Sequence, residues 1–115
     1  MLSSLIISQL IDYNCQALRN DPTSPIQIER FETISKSKDI SQIKIETTEG
    51  LLNFNNVDRS NDHMNGDNYL FFVGDNFSIV LDLNENPVRA SINPFAVNGK
   101  DYGPFYFTCA EKSAN

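Results

Sequence analysis

The sequence predicts an α+β domain: an N-terminal helix packed on a curved antiparallel sheet of five or six strands in a meander. Three observations predict it. An apolar segment over residues 2–19 contains neither Gly nor Pro, the apolar spacing changes to a period of two from residue 42 onward, and clusters of turn-forming residues punctuate that second region. The chain has 115 residues, a length that suits one domain over 1–115 with one core.

The helix over 2–19 rests on its capping and on its faces. Ser3 or Ser4 supplies an N-cap and Pro22 marks the stop. Ser8, Gln9, Asp12, Gln16 and Arg19 fall on one helical arc, while Leu2, Ile6, Ile7, Leu10, Ile11, Tyr13, Cys15, Ala17 and Leu18 fill most of the remaining circumference. So wide an apolar arc exceeds that of an ordinary surface helix and calls for a curved sheet around it, or for a partner.

Asn20–Pro25 is a break. In segment 24–35, Ser24 followed by Pro25 and Gln27 resembles a helix start, and Ile28, Phe31 and Ile34 have near-helical spacing. Ile26 and Ile28 also alternate as a strand does, and the balance favours a short helix. Strands follow over about 42–48 and 51–55, joined by a tight turn at Glu49-Gly50. Residues 55–68 are polar turn formers with one Val and one Met, and predict a mobile loop. Residues 69–73 are continuously apolar, the pattern of a strand buried on both faces. Alternation in 77–83, with Phe77, Ile79, Leu81 and Leu83 in one set, is the clearest in the chain. The last strands are expected over 88–93 and 104–109, separated by a loop over 93–103. Phe71 and Leu81 are expected as buried central residues.

Net charge is −6, from 15 acidic and nine basic residues. Residues 1–57 carry five basic and seven acidic groups, and residues 58–115 carry four and eight, so the excess of acid is greater in the second half. A net negative field repels phosphate backbones, and no basic run exceeds the pair Lys36 and Lys38, so a nucleic-acid partner is not expected. The N-terminal apolar run is interrupted by Asp12, is too short for a membrane span and lacks the basic start of a signal peptide. Cys15 and Cys109 belong to no CxxC pair or Cys/His cluster, so they are expected as buried reduced thiols in a cytoplasmic protein.

Catalytic and metal motifs are weak. His63 is the sole histidine and lies in the polar loop, which reads as a solvated position and not as a rigid base. A zinc site needs three or four His or Cys ligands, and the chain has three such residues in all. Asp82, Asn84 and Asn86 open like a calcium loop, but Pro87 stands where the turn glycine belongs and Asn93 where the closing Glu belongs, so a hairpin turn is the expectation. Asp82 and Glu46 are strand acids on faces expected to be solvated, and only a curled sheet would bring one of them to a pocket. No cofactor, metal or catalytic residue is therefore expected.

The functional expectation follows by elimination. A small acidic domain without a catalytic motif suits a non-catalytic binding protein that meets a basic protein partner, as an inhibitor, antitoxin or immunity-type protein meets a toxin. Complementary charge speeds such encounters. Asp58, Asp62, Asp67, Asp82 and Glu85 are the candidate partner-binding residues. The alternative is a small-ligand carrier, with a cup formed by helix and sheet. The sequence does not distinguish a monomer from a homodimer.

Overall fold

The computed structural model describes residues 10–62 and 66–112. Among them the chain forms strands and no α-helix: β1 Tyr13–Ala17, β2 Ile28–Ser35, β3 Ile40–Thr47, β4 Gly50–Asp62, β5 Tyr69–Val73, β6 Phe77–Asp82, β7 Val88–Val97, β8 Lys100–Tyr102 and β9 Phe105–Glu111. Every ladder is antiparallel, and β1 to β7 pair in sequence order. β8 and β9 lie end to end along β7 in one register, from Val97↔Lys100 to Val88↔Cys109. They are one strand interrupted at Gly103-Pro104, opposite Asn93-Pro94; two prolines without an N–H cannot complete the ladder there. β9 then pairs with β1, so the eight-strand sheet closes into an up-and-down barrel. This overturns the α+β expectation.

The first correction concerns the helix over 2–19. Residues 1–9, with Ser3 and Ser4, lie outside the described residues. From residue 13 the chain is strand β1, and Tyr13 and Cys15 point inward while Asn14 and Gln16 alternate with them. A period of two was present there inside an apolar run. The first and last strands need each other's backbone groups, and this long-range pairing outweighs local helical preference.

The second correction concerns 24–35, which holds strand β2 and no helix. Ile26 and Ile28 are buried, and then Phe31 and Thr33. The step of three between Ile28 and Phe31 is a β-bulge, since β2 gains a residue on β3 between Ile28 and Arg30. The same device occurs twice more. β4 gains a residue between Phe54 and Val57, and β7 gains one between Ile92 and Phe95. A bulge bends and twists its strand, as a closed barrel requires. Asn56 sits in the β4 bulge at φ 58°, a left-handed conformation that Asn tolerates.

The expected loops shrink accordingly. Residues 55–62 continue β4, so the mobile-loop reading fails there; His63 lies outside the described residues. Residues 93–103 contain the end of β7, strand β8 and an Asn98-Gly99 turn with φ values of 52° and 78° at its two central residues. Both central residues of this two-residue hairpin turn need positive φ, which Asn-Gly adopts readily. At Gly103, with φ of 118°, a Cβ would lie 3.1 Å from the Ile92 carbonyl oxygen, so only Gly fits that break.

The barrel interior is packed with side chains. Phe31, Phe72, Phe95, Phe105 and Phe107 are fully enclosed, with Ile43, Ile45, Leu70, Ile79, Leu81 and Ile92. Phe31 and Phe107 meet edge to face with ring centroids 4.8 Å apart. Leu81 is fully buried as expected, but Phe71 faces outward and is half-buried: β5 packs the core through Leu70 and Phe72 alone. The expected reduced thiols are also corrected. Cys15 and Cys109 are directly paired across β1 and β9 and form a disulfide on the interior face.

Candidate functional site

Parity along β4, β5 and β6 decides which side chains reach the outer surface. Val57 and Arg59, Leu70 and Phe72, and Ile79 and Leu81 point inward, so Asp58, Ser60, Asp62, Tyr69, Phe71, Val73, Val80 and Asp82 point outward. Strand register sets these outward side chains in rows. One row runs Asp62, Tyr69, Asp82, Arg89 across β4 to β7. The next runs Ser60, Phe71, Val80, Ser91, Tyr106 and reaches β9. The result is an apolar and aromatic strip with carboxylates along its upper border, at the barrel end that carries the β4–β5 and β6–β7 connections. The Tyr69 and Phe71 rings lie 6.1 Å apart at a tilt.

Four of the five sequence-predicted acids gather on this border. The field of Asp67, then of Asp82, raises the Tyr69 phenol above its ordinary value, with partial desolvation, Asp62 and Glu85 adding to it. Asp67 and Glu85 are exposed in the connections that flank the row. Asp82 is fixed by its own turn, where its Oδ1 accepts from the backbone N–H of Asn84 at 3.0 Å and from the Asn84 amide at 3.1 Å. That local pattern is a turn, as the sequence predicts for Asp82-Asn84-Asn86. Asp58 does not join the group. It lies four residues back along β4, about 13 Å from Asp62 at strand rise, beside Asp75 in a separate cleft.

The opposite side of the barrel treats its charges differently. Arg30 pairs with Glu32 at 2.9 Å and with Glu46 at 3.2 Å, and Lys112 pairs with Glu32 at 3.1 Å. Burial alone would raise the Glu32 carboxyl, but hydrogen bonds from Lys112 and Arg30 outweigh it and hold the group below its ordinary value. Asp67, Asp82 and Glu85 have no ion pair with a described residue. The acids of the β4–β6 side thus stand beside aromatic and apolar side chains, with Arg89 opposite Asp82 at the end of the row.

Sequence reasoning missed a buried polar cluster. Arg59, which the sequence places in a mobile loop, points into the upper barrel with its side chain 5% exposed. Its Nη1 lies 3.4 Å from Asp12 Oδ1 and donates to Ser35 Oγ at 2.9 Å, and its Nη2 donates to the Ile11 carbonyl at 3.0 Å. Asp12 also accepts from Thr33 Oγ1, from the Ser35 backbone N–H and from Ser35 Oγ. The guanidinium stands 5.4 Å from the Phe72 ring centroid. This cluster ties the chain entering β1 to β2 and β4, and the alternation of Val57 with Arg59 is the signal that places Arg59 inside. A cleft of about 620 Å³ opens beside it, lined by Leu10, Lys38, Asp39, Arg59, Ser60 and Asn61. Among the described residues no three His, Cys, Asp or Glu side chains gather as a metal site would require. Comparison of the chain with family models, with curated proteins and with solved structures returns no match.

Proposed function

We propose that the protein is a non-catalytic binding module whose outer β4–β6 face takes a basic protein partner, in the manner of an inhibitor or immunity-type protein. The observation that carries this reading is the row Asp62, Tyr69, Asp82, bordered by Asp67 and Glu85 and backed by Phe71 and Val80. Aromatic side chains supply contact area at small entropic loss, and the surrounding acids steer and select a basic partner. Asp62, Asp67, Asp82 and Glu85 act together on this face; Asp58 contributes only to the long-range field. The carrier alternative would need a cup of another kind, since the described residues form strands and no α-helix and the barrel interior they enclose is occupied by aromatic and aliphatic side chains. The cytoplasmic reading loses the support it drew from reduced thiols.

The test is affinity capture from the native host with two baits, the wild-type chain and Asp67→Lys/Glu85→Lys. Both positions are exposed, so the substitutions leave the core intact. A basic protein retained by the wild type and lost by the double variant supports the reading. An acidic partner, or one retained equally by both baits, overturns it.

A further inference from the structure

The two ladders of β4 are offset along the strand. β3 pairs with β4 from Gly50 to Asp58, whereas β5 joins only at Asp58, opposite Val73, where β5 ends. Residues 50–57 therefore have a strand on one side and, among the described residues, none on the other. From Asn53 onward that side of the strand borders a cleft of about 260 Å³ between the strand and the β5–β6 turn, lined in part by Phe54, Asn56, Val73 and Asn76. Proteins commonly guard such an edge with Lys, Pro or inward-pointing charge. Residues 50–57 contain none of these; the Asn56 bulge lies at one end and leaves Leu51–Asn55 extended. Leu51 is 57% exposed and Val73 48%. On the inner side, Leu52 and Phe54 are only half-buried.

We propose that this edge of β4 receives an extended segment of a basic polypeptide as an added strand. Backbone groups in a row fix the conformation of the occupant: only an extended chain matches their spacing. The inward-facing side chains Leu52 and Phe54 ask for apolar residues at alternate positions of that chain. The charges fix its ends. Glu49 stands at one end of the segment and Asp58 with Asp75 at the other, and no Lys or Arg occurs in 45–58 or 73–76. The inference rests on backbone geometry and stands apart from the acidic face.

The test uses the full chain, labelled with nitrogen-15, and a capped heptapeptide of alternating valine and threonine with a lysine at each end. At saturation, up to about 1 mM peptide, shifts centre on 50–57 and 73–76, and amide exchange in 50–57 slows at least about tenfold. Two peptide analogues carry N-methyl groups at odd or at even positions; one of them loses about tenfold or more in affinity because it cannot bond to the edge. Leu51→Lys, a change at an exposed position, weakens binding by placing a cation beside the peptide. No binding at that concentration overturns the proposal. So do shifts confined to Tyr69 and its acidic neighbours, equal binding by the two methylated analogues, or protection of 50–57 through concentration-dependent dimerisation of the chain itself.

Discussion

Arg59 shows how one inward-pointing charge organises one end of the barrel. A guanidinium withdrawn from water is tolerable only with partners, and Asp12, Ser35 and the Ile11 carbonyl supply them. Removing one member leaves the other desolvated without compensation. Arg59→Ala should therefore destabilise the chain by about 3 kcal/mol in denaturant unfolding, more than the value of a surface ion pair. A double-mutant cycle with Asp12→Ala should show strong coupling; independent effects would mean that the two groups do not share one cluster. Tyr69 is the corresponding reporter on the outer surface. Its phenol is raised by Asp67, then Asp82, so neutralising a carboxylate removes a charge that opposes ionisation. Asp67→Asn should lower the Tyr69 titration midpoint, followed by the ring-carbon resonance of that residue. A midpoint that does not move would show that Asp67 does not act on Tyr69.

At the scale of elements, the unbulged strands β3, β6 and β9 were legible as strands, β4 and β7 were legible only as far as their bulges, and bulged β2 was not. Ile79 and Leu81 alternate without a break, and β6 occupies Phe77–Asp82. In β2, β4 and β7 the inward set advances by three at one point, from Ile28 to Phe31, Phe54 to Val57 and Ile92 to Phe95. A step of three is also a helical spacing, which is why 24–35 reads locally as a helix. In 55–62 the polar Asn55 and Asn56 hid the phase change, and the inward Arg59 looked like a loop residue. These bulges bend the sheet towards closure, so the features that obscure the pattern are those that shape the barrel. Asn56 gives a direct check, since its left-handed backbone disfavours a β-branched side chain. Asn56→Val should cost about 1–2 kcal/mol, whereas Asn56→Gly should leave stability within a few tenths. Equal effects in thermal unfolding would argue against the left-handed bulge.

At the scale of the whole molecule, closure depends on a contact between the two ends of the chain that no local pattern announces. β1 pairs with β9 from Tyr13↔Glu111 to Ala17↔Phe107, and the disulfide joins residues 94 apart within that ladder. A crosslink over so long a loop restricts the unfolded chain strongly. The Cys15→Ala/Cys109→Ala variant should lose about 2–5 kcal/mol, with the wild type under reducing conditions losing a similar amount. An unchanged unfolding midpoint in both would contradict the bond. The closed wall gives the molecule its sidedness: Glu32 and Glu46 are ion-paired across β2 and β3, while the acids around Tyr69 are set beside apolar side chains.

That sidedness is what the functional account rests on, and association kinetics test it most directly. With the basic partner retained by the wild-type bait, the association rate should fall as salt rises, because charges on the surface are screened beyond about 8 Å at physiological ionic strength. Asp67→Lys/Glu85→Lys should slow association at low salt by about tenfold or more, and the difference should narrow at high salt, with the dissociation rate changing less. An association rate indifferent to both salt and charge reversal would contradict the account.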